Sequence, residues 1–425
     1  MADRPNVLFV VADQQQGRTL DPDAGFHTPN LDALAADGVS LTGAHCTHPQ
    51  CSPSRSSLLT GRFPHQTGVY TLSNWGDFAL SPDAPCVARA FREAGYETAY
   101  FGRWDLGDAA DMGELGWDLR RNVDLTGTPG RGGKARDDVT TDEAVRYVRE
   151  RDGDDPFFAT VAFNLPHPDF FVDEAFADEF DPADVPLPES FDADRSDKPA
   201  FVRERAAEFD LSAAEVREMG YRYRTMTARV DAYVGRLVEA LREAGVYGET
   251  VVVFTADHGD MQGAHGLAKK GTFAYDELLR VPLVVRVPDA EFPREGVPDL
   301  VSTADLPGTL LEAAGVERPE GFGSLYPALE RDSRPAEERV FFEHKYAYWG
   351  EHPLRGVRTR TWKYVDYAAE GEAELYDVEG DPDEVDNLAD DPGYRDVRAD
   401  LAALVEDWWD ATDGPDDWWT ETETY

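Results

Sequence analysis

Two valine-rich apolar runs, Val7 to Ala12 and Thr250 to Ala256, both stop abruptly at an acid, the first at Asp13-Gln14 and the second at Asp257-His258-Gly259. Short unbroken apolar runs mark strands covered on both faces, the condition of parallel sheets packed between helices. In open α/β sheets, functional side chains collect outside the carboxyl ends of the strands. Two such strands, each delivering a carboxylate at that end, restrict the chain to an α/β fold and make a metal site there credible. Either aspartate alone reads equally well as a turn or capping residue.

Further strands are expected at Thr98 to Phe101, at Pro156 to Leu165 ahead of Pro166-His167-Pro168, and at Pro282 to Pro288. Helices are expected over Thr28 to Gly38, with Pro29 at the first helical position, over Cys86 to Ala94, and over Ala304 to Gly315. The longest should run from Leu211 to Gly245, where Tyr221, Met226, Val230, Val234, Leu237 and Leu241 keep helical spacing. Pro182 to Pro199 reads as an irregular loop. From about residue 335 the texture changes to short aromatic runs (Val340 to His344, Arg355 to Asp366, Ala373 to Val378) separated by turn signals, the pattern of a small antiparallel sheet. The expected architecture is a large mixed, mostly parallel sheet flanked by helices over 1–334 and a smaller antiparallel subdomain over 335–425. Trp408, Trp409, Trp418 and Trp419 dock the final stretch onto the body, with a contact between subunits of a homo-oligomer as the second reading.

The balance of 41 basic against 84 acidic side chains gives a net charge of −43, with lysine only at 134, 198, 269, 270, 345 and 363. This charge makes nucleic acid and anionic membranes poor partners, and neither is expected. Spread over the whole chain, it suggests a surface adapted to a salt-rich cytoplasm, where mobile ions screen self-repulsion. The melting temperature should then climb steeply between low and molar salt, and a salt-independent melting curve removes the idea. Cys46, Cys51 and Cys86 offer no disulfide framework and suit a reducing compartment. The opening residues lack a secretory pattern, and no apolar run approaches the roughly 18 residues of a membrane span. A cytoplasmic location is expected.

The chemistry centres on Cys51-Ser-Pro-Ser-Arg-Ser-Ser-Leu-Leu-Thr-Gly-Arg62. Pro53 suits a first helical turn, Ser52 or Ser54 can cap it, and Gly61 stops it. Cys51 then sits at the positive end of a helix dipole with Arg55 one turn on, a place that favours anions. His45, Cys46, His48 and Cys51 also crowd together in a zinc-like way, but no remote cysteine pair completes such a site.

Cys-x-Pro-x-Arg followed by Leu-Thr-Gly-Arg resembles the signature of the formylglycine-dependent sulfatases of the alkaline-phosphatase-like superfamily. Thr28-Pro-Asn-Leu-Asp32 and the Leu375-Tyr-Asp377, Asp381-Pro382 and Asn387-Leu388 steps are similar to the same family. The resemblance implies an arylsulfatase-like sulfuric ester hydrolase in which a formylglycine-generating enzyme oxidises Cys51 to an aldehyde. One hydroxyl of its hydrate attacks the sulfur of a small-molecule sulfate ester, the alcohol leaves, and the other hydroxyl expels sulfate. It further implies one divalent ion held by Asp13, Gln14, Asp257 and His258, support of the nucleophile by Arg55, and contacts to the anion and leaving group from His167 and Lys270. An oxygen-rich shell favours calcium or magnesium, and one imidazole moves the preference toward manganese; calcium is the first expectation.

Two features depart from the commoner family pattern. The Asp-Gln with Asp-His set resembles choline sulfatases and phosphonate monoester hydrolases. Gly102-Arg-Trp-Asp-Leu-Gly107 stands where many sulfatases have Gly-Lys-Trp-His-Leu-Gly. Arg103 keeps the charge and is expected with Asp105 on the substrate side, yet a carboxylate facing an anionic ester is repelled. Asp105 either turns away, binds a cationic group of the substrate, or marks a changed substrate class. Alternative functions are a phosphonate monoester hydrolase or phosphodiesterase, and a non-catalytic, anion-binding relative with Cys51 unoxidised. His265 is expected to be structural, and substrate-facing walls are expected at 71–83, 126–137 and 170–203.

Overall fold

The computed structural model describes residues 4–419 apart from 75–77, 109–110, 152, 154, 291, 293–299, 330–337, 347–351 and 368. Its main sheet contains β1 (Asn6–Ala12), β2 (Val39–Ser40), β3 (Glu97–Arg103), β4 (Leu119–Asp124), β5 (Phe157–Ala162), β6 (Thr250–Ala256) and β7 (Leu283–Arg286). Their order is β2-β7-β6-β1-β5-β3-β4. β1 pairs in parallel with β5 and β6, and β3 with β4 and β5; β7 alone runs against its neighbours. The central strands are buried along nearly their whole length, which is why their sequences do not alternate. The register sets Ala12 against Ala256, so Asp13 and Asp257 leave adjacent strands side by side.

Helices α1 (Pro29–Ala36), α2 (Cys51–Thr60), α3 (Val87–Glu93), α4 (Gly130–Glu150), α5 (Ala213–Glu243) and α6 (Leu306–Ala313) surround this sheet. α5, with 31 residues the longest among the described residues, opens on a capping box between Ser212 and Glu215 and packs on α1 and α4. α1 is capped from outside. Thr28 makes no capping bond, and buried Asp231 of α5 instead accepts from the amides of Asn30 and Leu31 at 3.1 and 2.8 Å. No described helix is long and apolar enough to cross a membrane.

A separate antiparallel sheet follows in chain order: β8 (Arg339–His344), β9 (Leu354–Thr359), β10 (Trp362–Tyr367) and β11 (Glu372–Asp377), backed by α7 (Arg395–Ala411). The expected single run Arg355 to Asp366 is therefore two strands. Thr359 closes the hairpin with its own side chain, accepting from the Trp362 amide at 3.0 Å and donating to its carbonyl at 3.1 Å, a turn made without glycine or asparagine. Residues 130–137, expected as part of a loop, are the first turns of α4, whose glycines imitate a loop while Thr140, Thr141, Ala144, Val145 and Val148 bury one side. The two sheets are joined by buried polar groups. Glu374 accepts from the hydroxyls of Tyr275, Tyr367 and Tyr376 at 2.8, 2.9 and 2.7 Å, and Lys363 pairs with Asp276 at 2.6 Å and with Glu384.

At the same junction His344, ending β8, stacks on His48 with ring centroids 4.5 Å apart. Both are fully buried, and among the described residues none of their four ring nitrogens has a hydrogen-bond partner. Burial first, then its neighbour His352, lowers the His344 imidazole to about 3, and burial followed by His344 holds His48 well below its ordinary value. The unfolded chain protonates these rings near pH 6.5 whereas the folded one does not, so stability present above 6.5 is lost as pH falls toward 3. His344→Phe should flatten that slope, removing about 2 kcal/mol of the loss between pH 6.5 and 5, as read by urea unfolding.

Candidate active site

The carboxyl ends of β1 and β6 build the floor. Beyond Asp13 the chain turns through Gln14 in the left-handed region (φ 66°), a conformation a non-glycine residue holds only when its surroundings fix it. Here three bonds do so. The Gln14 amide donates to Asp257 Oδ1 at 2.9 Å, its carbonyl accepts from the Tyr223 hydroxyl of α5 at 2.8 Å, and that hydroxyl accepts from the Gln16 amide at 2.8 Å. The Gln14 side chain is held between Asp260 Oδ2 at 2.5 Å and Lys270 Nζ at 3.0 Å.

α2 supplies the wall above it. Cys51 is the first helical residue after Gln50, and the helix ends at Gly61 with φ 66°. Neither serine caps: Ser52 Oγ accepts from the Ser73 amide at 3.1 Å, and Ser54 Oγ donates to the Asp257 carbonyl at 2.5 Å. The helix is thus fastened to the end of β6. One turn on, Arg55 donates to Asp257 Oδ2 at 2.9 Å, to Asp13 Oδ2 at 3.0 Å and to the Arg103 carbonyl at 3.1 Å. These contacts leave Cys51 Sγ 2.8 Å from Lys270 Nζ, 3.3 Å from His258 Nε2 and 3.9 Å from Asp13 Oδ1.

The electrostatics of this cluster are those of a dry site. Burial, then the Asp13 carboxylate, pushes the Cys51 thiol up to about 12 against Lys270 and Arg103, so the cysteine itself is a poor nucleophile at neutral pH. Burial works against the Asp13 carboxylate, but Arg103, Arg55 and Lys270 more than reverse it and keep the group ionised. Burial lowers His258 to about 4. Its Nδ1 lies 2.8 Å from the Gly259 carbonyl, which assigns the proton there and leaves the Nε2 lone pair toward Cys51.

Asp13, Cys51, Asp257 and His258 each offer a ligand atom, all within 4.8 Å of one another, and all four are buried. Two carboxylates, a neutral imidazole and the nearby Gln14 Oε1 form a donor set that fits a divalent cation.

Arg103, at the end of β3, reaches Asp13 Oδ2 at 2.5 Å with one terminal nitrogen and Asp105 Oδ2 at 2.9 Å with the other. Asp105 is 1% exposed and committed to this pair, which answers the question its sequence position raised: its partner is Arg103, and a cationic substrate group is not required to neutralise it. His167, after β5, is half-buried with Nδ1 2.5 Å from the Pro168 carbonyl; burial, then Lys270, holds its imidazole well below the ordinary value. Lys270 reaches the site and the exposed Lys269 does not. Of the zinc-like group only Cys51 enters the cluster: His45 faces Asp276, Cys46 the Leu278 carbonyl, and His48 the ring of His344. His265 stacks on Tyr275 with centroids 3.8 Å apart.

Two supporting residues escaped the sequence reading. Asp260, three positions after Asp257 in Asp257-His-Gly-Asp260, was accessible to it; Tyr223, in mid-helix, carries no signal. Because Asp105 orients Arg103, Asp105→Asn should lower turnover of every ester alike and cost about 3 kcal/mol in urea unfolding, as for a broken buried pair.

A family model described as Sulfatase matches residues 5–316, and one described as N-sulphoglucosamine sulphohydrolase, C-terminal, matches 263–410. A Δ4,5-hexuronate-2-O-sulfatase of Bacteroides thetaiotaomicron is 31% identical, covering 96% of this chain and 89% of its own. The uncharacterized sulfatase YidJ of Escherichia coli K12 is 30% identical, over 97% of this chain and 88% of its own. Among solved structures, a phosphonate monoester hydrolase of Agrobacterium radiobacter is 26% identical, with TM-score 0.78 and 96% of each chain covered. The chain belongs to the sulfatase family, a sulfuric ester hydrolase on an alkaline-phosphatase-like fold.

Proposed function

We propose that the chain hydrolyses sulfate monoesters with a nucleophile derived from Cys51 by oxidation to formylglycine. The observation that carries this reading is the placement of Sγ, the position a hydroxyl oxygen of the matured residue would take, against both Lys270 Nζ at 2.8 Å and the Asp13, Asp257 and His258 donors. A divalent ion held by Asp13, Asp257 and His258, with Gln14 Oε1, would lower the pKa of that hydroxyl and neutralise charge on the ester. Arg55 bridges both carboxylates and fixes their separation. The Lys270 ammonium would donate hydrogen bonds to the oxygen at position 51 and to the oxyanions of the ester, and Arg103 adds a second fixed cation beside it. Neutral His258 keeps its Nε2 lone pair available, and His167, held neutral by burial and then Lys270, would contact the ester from the β5 side as an uncharged imidazole.

Intact-protein mass of material made with an active maturation enzyme should be about 18 Da below that expected for cysteine, the mass change of formylglycine. Cys51→Ala should abolish turnover, leaving less than about 0.1% of it, as for loss of a nucleophile. Chelation should do the same reversibly, and an unchanged rate in excess chelator refutes the role given to the ion. A second reading, phosphonate monoester or phosphodiester hydrolysis by the same residues, is favoured by the Asp13-Gln14 with Asp257-His258 set and by the phosphonate monoester hydrolase neighbour. Parallel turnover of 4-nitrophenyl sulfate and a phenylphosphonate ester decides between them.

A further inference from the structure

The stretch from Tyr70 to Asn74 is neither helix nor strand, so side-chain contacts fix its course. On one side it is tied to the residues flanking Cys51. The Ser73 amide donates to Ser52 Oγ at 3.1 Å, and Thr71 Oγ1 lies 3.5 Å from both Gln50 Oε1 and the Tyr346 carbonyl. On its other side Tyr70 meets Trp418 edge to face, with centroids 5.6 Å apart and planes at 85°. Trp418 has no exposed surface and leans in turn on Trp409 of α7 at 5.0 Å. The Lys345 ammonium lies over the rings of Trp418 and Tyr70 at 5.0 and 5.6 Å, closing the contact from a third direction. A residue more than 360 positions along the chain from Cys51 thus reaches its helix through a single intervening segment.

We propose that Trp418 is a positioning residue for the ester site: it presses the 70–74 stretch against the first turn of α2 and so sets the wall beside residue 51 on which the alcohol part of the ester rests. This rests on reading residue 51 as the reacting centre. The contact acts on substrate placement and not on the Asp13, Asp257 and His258 cluster, which is held by β1, β6 and Arg55 without help from this segment. Its loss should therefore appear in KM and leave kcat nearly intact.

The test uses the full chain with Trp418→Ala and Trp418→Phe, followed by hydrogen–deuterium exchange and by kinetics on 4-nitrophenyl sulfate. Trp418→Ala should speed exchange in peptides covering 70–74, while those covering 51–55, β1 and β6 stay protected. KM should rise about threefold to tenfold, the range set by one aromatic pair, with kcat within about twofold. Trp418→Phe should restore both. Faster exchange confined to 395–418, or an unchanged KM, overturns the proposal. Should Trp418→Ala yield no folded protein, Tyr70→Leu breaks the same contact from the other side and is held to the same outcomes. A wild-type protein that does not hydrolyse the ester removes the reading of residue 51, whereas the exchange pattern still decides the role of Trp418.

Discussion

The salt bridge that Arg55 forms with Asp13 and Asp257 together is the interaction on which the site depends. Two carboxylates facing one another in a dry pocket repel strongly and cannot both stay ionised without a cation between them. A guanidinium suits this better than an ammonium, because its planar fork reaches both acids at once, at 3.0 and 2.9 Å, and has donors left for the Arg103 carbonyl. Since Arg55 lies one turn beyond Cys51, the bridge also fixes where residue 51 is presented. Charge compensation and positioning of the nucleophile are thus consequences of the same side chain.

Around that bridge the site is layered. Arg103 adds a second cation to Asp13 and is itself restrained by Asp105, so Arg103 and Asp105 act as one unit. Arginine in place of lysine brings a second terminal nitrogen that needs an acceptor in a buried setting, and aspartate two residues on supplies it. Asp257 and Tyr223 hold Gln14 in its unusual backbone conformation, and Asp260 holds its side chain. The cost of that conformation is met by these hydrogen bonds.

Much of this was legible in the chain. The two apolar runs ending in acids fixed the sheet, the neighbouring carboxylates and the place where ligands gather, because burial on both faces leaves an unmistakable composition. Gly61 and Pro53 marked α2 correctly. The helix start was misjudged by one feature: Ser52 and Ser54 look like caps, but their hydroxyls are used by Ser73 and by the Asp257 carbonyl, which only the tertiary arrangement brings near. For the same reason Thr28 does not cap α1; Asp231, some 200 positions away, does so. α4 was hidden by glycines at its start, and the β9–β10 hairpin by a turn that Thr359 stabilises without the usual residues. At Ser52, Ser54, Thr28 and α4 long-range packing outweighed a local signal, whereas the hairpin rests on a local one that its residue types do not advertise.

The parallel register of β1 and β6 has a further bearing on which ion such a site accepts. Adjacent strands lie roughly 4.8 Å apart whatever their side chains, so the distance between the stems that carry Asp13 and Asp257 is inherited from the pitch of the backbone. The residues that follow the two acids, Gln14 and His258, supply an amide and an imidazole, so the hardness of the donors can change there without altering the spacing of the strands beneath.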